Sequence, residues 1–191
     1  MKKLLLGLMM IIITVPAVNA QFTKIGGGTG FTTGYLFHEM DYDYNKSGHI
    51  FASLKGIYEI SVPIHVSPSV TFFIPHVYKE FDMKTTVNTL MFDINGHYVF
   101  NSLDKFEFYG LAGLNVLLAW KREKYLEEVF PESDNALGLN LGVGSYMKVT
   151  DQFDIYAEAK YILSKYNQFM LNVGVLINID WLKKHEDTGG L

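Results

Sequence analysis

The sequence predicts an all-β chain, an eight-stranded antiparallel up-and-down transmembrane β-barrel. Three observations carry that expectation. Apolar residues alternate with others at period two in segment after segment, most of the stripes run 11 to 15 residues, and the connections alternate between short and long. Successive side chains of a strand point to opposite faces, so residues two apart line one face. A helix would scatter the same stripes around its cylinder.

Taken in order, the first candidate strand, Phe22 to Gly34, is glycine-rich and the least regular. The second, Ile50 to Val62, sets Ile50, Ala52, Leu54, Tyr58 and Ile60 against Ser53, Lys55, Ile57 and Glu59. Ser67 to Pro75 places Val70, Phe72 and Ile74 on one side, and Leu90 to Phe100 alternates Leu90, Phe92 and Ile94 with Met91, Asp93, Asn95 and His97. Phe106 to Trp120 opposes Leu114, Val116 and Leu118 to Glu107, Tyr109 and Asn115. Ala136 to Val149 opposes Leu139, Leu141 and Val143 to Asn140, Tyr146 and Lys148. In Phe153 to Leu163 the second face is Asp154, Tyr156, Glu158, Lys160 and Ile162. Phe169 to Ile179 has the cleanest stripe, Leu171, Val173, Val175 and Ile177.

A soluble sandwich or ligand-binding barrel also alternates. Stripe length separates the two, because soluble strands run about 5 to 6 residues whereas a strand tilted by about 45° needs about 9 to 11 to cross the hydrocarbon. The connections agree. Val62 to Val66, Ser102 to Lys105 and Thr150 to Gln152 are tight, Tyr35 to His49, His76 to Lys84 and Arg122 to Asn135 are long and polar, and Ser164 to Gln168 is intermediate. Short turns on one rim and long loops on the other are the asymmetry of an outer-membrane barrel. Phe51, Tyr58, Phe100, Phe106, Trp120, Phe153, Tyr161 and Phe169, near strand ends, suit two interfacial girdles.

The ends divide off. Lys2 and Lys3, an apolar run from Leu4 to Val15 and the small-residue exit Val18-Asn19-Ala20 have the order of a secretory signal peptide, residues 1–20. The apolar run is too short for a spanning helix, which needs about 20 residues. Barrel residues 21–181 and a polar tail, 182–191, follow. Losing Lys2 and Lys3 takes the formal net charge from -4 to -6, so no basic surface exists to attract nucleic acid. With no cysteine, disulfides, thiolate metal sites, a cysteine nucleophile and a lipid-anchored N-terminus are excluded.

The segments Phe108-Tyr109-Gly110-Leu111-Ala112-Gly113-Leu114, Gly138-Leu139-Asn140-Leu141-Gly142-Val143-Gly144 and Asn172-Val173-Gly174-Val175 resemble the strand repeats of the small outer-membrane β-barrel superfamily, with its OmpX-like and OmpA-like barrels. The resemblance covers the mature chain and speaks to architecture. It implies a Gram-negative outer membrane, contact with its lipid and lipopolysaccharide, and delivery by periplasmic chaperones and the barrel-insertion machinery. Such barrels usually end on an aromatic residue, whereas here Trp181 precedes the tail.

An eight-stranded barrel has an interior only wide enough for side chains to fill. The second face then supplies a lumen network of Lys55, Glu59, Asp93, His97, Glu107, Asn115, Lys148, Asp154, Glu158 and Lys160. Because an unpaired buried ion costs several kcal/mol, Lys55, Lys148 and Lys160 are expected to pair with Glu59, Glu107, Asp154 and Glu158. Such a plug leaves no diffusion pore.

No chemistry announces itself. His38, His49, His65, His76, His97 and His185 form no i, i+4 pair, and no serine, histidine and acid make a hydrolase motif. Asp41 and Asp43 begin like a calcium loop but lack its glycine and glutamate. The expectation is a non-enzymatic protein without cofactor or metal, whose loops serve adhesion, envelope integrity or partner binding. The alternatives are a small-solute transporter or channel, a lipid A-modifying enzyme using His38, His49 or His76, and a soluble periplasmic ligand-binding barrel.

Overall fold

A computed structural model describes residues 22–33, 49–125 and 128–179. The expected signal peptide, most of the first long connection, Trp181 and the tail lie outside the described residues. Nine strands follow in order: β1 Lys24–Thr32, β2 His49–Ser61, β3 Ile64–Phe73, β4 His76–Glu80, β5 Met83–Leu103, β6 Phe106–Tyr125, β7 Glu128–Lys148, β8 Phe153–Ser164 and β9 Gln168–Asn178. Every pairing is antiparallel, and β1 closes the ring by pairing with both β2 and β9, Gly28 lying opposite Ser53 and Gly174.

The nine segments make eight staves. β3 and β4 share one edge of β5: Ile64 to Phe72 pair with Tyr98 to Leu90, and His76 to Glu80 with Val87 to Met83. The break falls at Ile74-Pro75, and proline has no N–H to give the ladder. β1, β2 and β3 therefore surround the same axis as β5 to β9.

Strand length differs from the expectation on one side. In the segments His76 to Lys84 and Arg122 to Asn135, expected as polar loops, the described residues outside the turn at Phe81 and Asp82 continue as strand. β5 and β6 stay paired up to Met83 and Tyr125, and β6 and β7 up to Tyr125 and Glu128. β-branched and aromatic residues (Val77, Thr85, Thr86, Val87, Tyr125, Val129, Phe130) sustain the ladder. Pro131 falls on the upper part of β7, which pairs with β6 alone because β8 joins only at Gly138. An edge position tolerates the missing donor. At about 3.4 Å per residue, the 20 residues of β6 reach about 68 Å along the strand, and about half of that exceeds a tilted crossing. β4 and the upper parts of β5, β6 and β7 thus form a wall that stands beyond the barrel rim.

The outward face is apolar. Leu114, Leu137, Leu139, Leu141, Val143, Val173 and Val175 are exposed, and Val116, Leu118, Leu171 and Ile177 half-buried. Such a belt is stable only against lipid, since contiguous apolar patches of this extent are foreign to soluble monomers.

The inward face is stacked in layers. Ile57, Tyr109, Leu111, Tyr146, Tyr156 and Leu176 pack at the end where the short turns lie. Phe51, Phe73, Met91, Ile162 and Met170 pack toward the other end, and Val87, Leu117, Ala119, Ala136 and Tyr166 above them. Inward glycines make the room. A Cβ on Gly28 would collide with the Tyr156 hydroxyl and the Val173 carbonyl, and one on Gly144 with the Tyr109 ring.

Candidate functional site

Between the apolar layers lies a belt of buried polar side chains. Alternation alone puts Lys55 of β2 and Glu158 of β8 on the inward face; ring closure puts them opposite each other. The Lys55 Nζ stands 2.5 Å from Glu158 Oε2, and both side chains are 1% exposed. The Tyr109 hydroxyl donates to the same oxygen at 3.1 Å. The Lys55 ammonium also lies 4.6 Å from the centroid of the Tyr156 ring, a cation–π contact that offsets part of its desolvation.

A second cluster centres on Asp93 of β5. Its Oδ2 receives Lys160 Nζ from β8 at 2.8 Å, and its Oδ1 receives Asn115 Nδ2 at 2.7 Å and Asn140 Nδ2 at 2.8 Å. With Ser69 of β3 donating to Oδ2 at 3.4 Å, five strands meet on one carboxylate, so its lone pairs are taken up as burial requires. Below it His97 stacks on Tyr109, ring centroids 4.3 Å apart, with Nδ1 2.6 Å from the Tyr146 hydroxyl.

The expected membership and pairing need correction. Lys148 is exposed and pairs with Asp151, 2.8 Å away in the β7–β8 turn, because it follows the last buried residue of β7, Tyr146. That contact raises the Lys148 ammonium and lowers the Asp151 carboxyl from their ordinary pKa values. Glu59 is exposed and Glu107 half-buried, both at the short-turn rim. Asp154 is buried and meets Lys24 at 2.5 Å. Lys55 meets Glu158, one of the expected acids, whereas Lys160 meets Asp93, which was not among them, since cross-barrel partners depend on where the ring closes and not on neighbouring spacing.

Sequence reasoning missed three features. The first is the apolar part of the plug, whose Leu111, Leu117, Ile162 and Leu176 sit on the right parity but look like ordinary strand residues. The second is Lys24, which lies in the glycine-rich first strand. The third is a clip at the outer end. The Asp134 carboxylate of β7 accepts Lys165 Nζ at 2.5 Å and the Tyr166 hydroxyl from the β8–β9 turn. These hydrogen bonds, from Lys165 first and Tyr166 second, hold its pKa below the ordinary value. Tyr166 is thereby folded back over the lumen. Inward spacing of strand residues could have flagged Asp134, but nothing local points from it to the turn.

His49 is buried at the head of β2 with its ring 6.3 Å from Phe73. His38, Glu39, Asp41 and Asp43 lie outside the described residues, as do the side chains of His76 and Glu80.

A closed antiparallel ring with an apolar outer belt and a polar, side-chain-filled interior has one further test, likeness to known proteins. The model of the outer membrane protein beta-barrel domain matches residues 4–178. The chain belongs to that family. It is an outer-membrane β-barrel with the fold of the small eight-stranded OmpX/OmpA-like barrels. Among solved structures it is similar to Ail, the attachment invasion locus protein of Yersinia pestis, at 17% identity and TM-score 0.53, over 82% of this chain and 100% of that one. Neisserial surface protein A matches at 14% identity and TM-score 0.55, over 83% and 98% of the two chains. A major outer membrane protein of Thermus thermophilus matches at 12% identity and TM-score 0.58, over 83% and 98%. At these identities the likeness is one of fold. No curated protein shows significant sequence similarity to the chain. Family membership sets aside the soluble periplasmic alternative.

Proposed function

We propose that this family member is a closed, non-enzymatic scaffold in the outer membrane, exported by residues 1–20, whose outer wall and loops contact molecules outside the cell. The observation that carries the closed lumen is the pair of cross-barrel contacts, Lys55 to Glu158 and Lys160 to Asp93, sandwiched between apolar layers. Opening a path for solute would strip both acids of their partners at several kcal/mol per ion. The test is conductance. Mature protein in a planar bilayer is expected to give no steady porin-like current, and a sustained current would refute the reading.

The wall supports the outward role. Its tip exposes Phe81, Tyr125 and Phe130, with Phe81 99% accessible in the β4–β5 hairpin. Exposed aromatics clustered at a projecting edge are the kind of surface that anchors a protein partner. One fold relative is an attachment invasion locus protein, which agrees with adhesion. Trimming β4 and the upper parts of β5 to β7 should leave the barrel folded and abolish attachment of cells expressing it to a surface that the intact protein binds. Unchanged attachment would exclude the wall.

A further inference from the structure

The outward face of the wall carries a feature that neither the lumen nor the aromatic tip accounts for. The register sets Lys79 of β4 directly opposite Lys84 of β5, and Lys84 opposite Lys124 of β6. One step nearer the barrel Arg122 faces Thr86, and one step nearer still Trp120 faces Asn88. Neither β5 from Met83 to Val99 nor β6 has a bulge, so Lys84, Arg122 and Lys124 share a side with Leu90, Phe92, Leu114 and Trp120, the side of the apolar belt. All four cations are exposed.

Like charges directly opposite across strands destabilise a sheet, and here three stand in one row. Among the described residues no acid of these strands shares their face. Glu123 and Glu132 hold Lys121 on the other side, at 3.3 and 2.6 Å, Asp134 is engaged by Lys165, and Asp82 occupies the hairpin tip. Among the described residues the row therefore has no anion of its own.

Its height indicates which anion. Trp120 marks the upper girdle of the belt, where interfacial tryptophans sit. Two residues of a strand tilted by about 45° climb about 5 Å, so Arg122 stands about 5 Å and Lys124 about 10 Å above Trp120, with Lys84, one strand spacing to the side, within about 3 Å of the height of Lys124. The polar headgroup layer of each leaflet is about 5 to 7 Å thick, and long cationic side chains reach down into it. An open groove of about 590 Å³ at the same level is lined by Asn88, Trp120, Arg122, Pro131 and Ser133 and, from the other side of the sheet, by Lys121 and Glu132.

We propose that Lys79, Lys84, Arg122 and Lys124 form a docking row for phosphate groups on outer-leaflet glycolipid headgroups. The row ties the wall to the membrane surface on its convex side and leaves the tip aromatics for other partners. It rests on the outer-membrane placement and is independent of whether the lumen is closed.

The chain holds two tryptophans, Trp120 and Trp181. Mature protein carrying Trp181→Phe is folded into phosphatidylcholine vesicles, and energy transfer from Trp120 to a dansyl-labelled diphosphorylated lipid A is compared with transfer to the same labelled lipid stripped of phosphate. With about a five-fold factor for each cation near an anionic surface, the diphosphorylated lipid is expected to be enriched about ten-fold or more around Trp120. K79Q/K84Q/R122Q/K124Q should bring the ratio close to one, and K84Q/K124Q should give an intermediate value. Heat-modifiable gel migration verifies folding, and the double variant carries the test if the quadruple variant fails to fold. Equal transfer to both lipids in the unsubstituted row, or enrichment that survives the substitutions, overturns the proposal. So does a row that captures soluble heparin while the membrane phosphate gives no enrichment. Bilayer conductance reads the lumen separately, so failure of the closed-scaffold reading is told apart from failure of this one.

Discussion

Replacing Glu158 by glutamine removes one charge from the deepest ion pair of the barrel and leaves the other. At 2.5 Å and an effective dielectric constant of about 20, the attraction between Lys55 and Glu158 is about 6 to 7 kcal/mol before desolvation is counted. Several kcal/mol per ion of desolvation offsets most of it, so the intact pair contributes little net stability. The isolated lysine is a different matter. With Glu158→Gln the Lys55 ammonium keeps its burial and retains only a neutral amide and the Tyr156 ring, and the expected loss is about 3 to 5 kcal/mol. Lys55→Met should cost less, about 1.5 to 3 kcal/mol, because the Glu158 carboxylate still accepts from the Tyr109 hydroxyl. The double variant Lys55→Met with Glu158→Gln should be more stable than Glu158→Gln alone, giving a coupling of at least about 1.5 kcal/mol. Equilibrium unfolding in urea from short-chain lipid vesicles, followed by tryptophan emission, measures all three. If Glu158→Gln lies within about 1 kcal/mol of the parent, or if the two single costs simply add, the cross-barrel pair is not what holds the lumen.

Three further expectations come from other parts of the barrel. Gly28→Ala should destabilise by about 1 to 3 kcal/mol, since its methyl meets Tyr156 and the Val173 carbonyl, whereas Gly110→Ala, with nothing within 4 Å, should be close to neutral in the same unfolding assay. Leu114→Arg and Leu139→Arg alter side chains 64% and 54% accessible, and in a water-soluble protein would matter little; here each should cost about 2 to 4 kcal/mol of folding into vesicles, and a neutral result would contradict a lipid-facing belt. The Asp134 clip should be acid-labile. Its folded pKa is depressed, so the stabilisation is complete above the ordinary value of 3.8 and fades as pH falls below it. Carboxyl NMR should place the Asp134 midpoint below 3.8, and Lys165→Gln should return it toward that value; a midpoint unmoved by the substitution would remove Lys165 as the main cause.

Parity was legible from the sequence because it is local. Leu139, Leu141 and Val143 face outward, and Lys55, Asp93, Glu158 and Lys160 inward, for no deeper reason than the two-residue repeat of a strand. The strand count was readable in the same way, from order and spacing. Closure of the ring was not. Which inward acid meets which inward lysine depends on the register of all eight staves, so Lys55 found Glu158 across the barrel while the nearer Glu59 stayed at the rim. Polar composition made the upper parts of β5 to β7 look like loops, yet continuous backbone pairing carried them on as a wall. That pairing also lined up Lys79, Lys84 and Lys124, residues far apart in the chain whose row exists only once three strands are laid side by side. The two-residue repeat thus fixed which side each residue takes; long-range hydrogen-bond register, a property of the assembled sheet, decided what it faces.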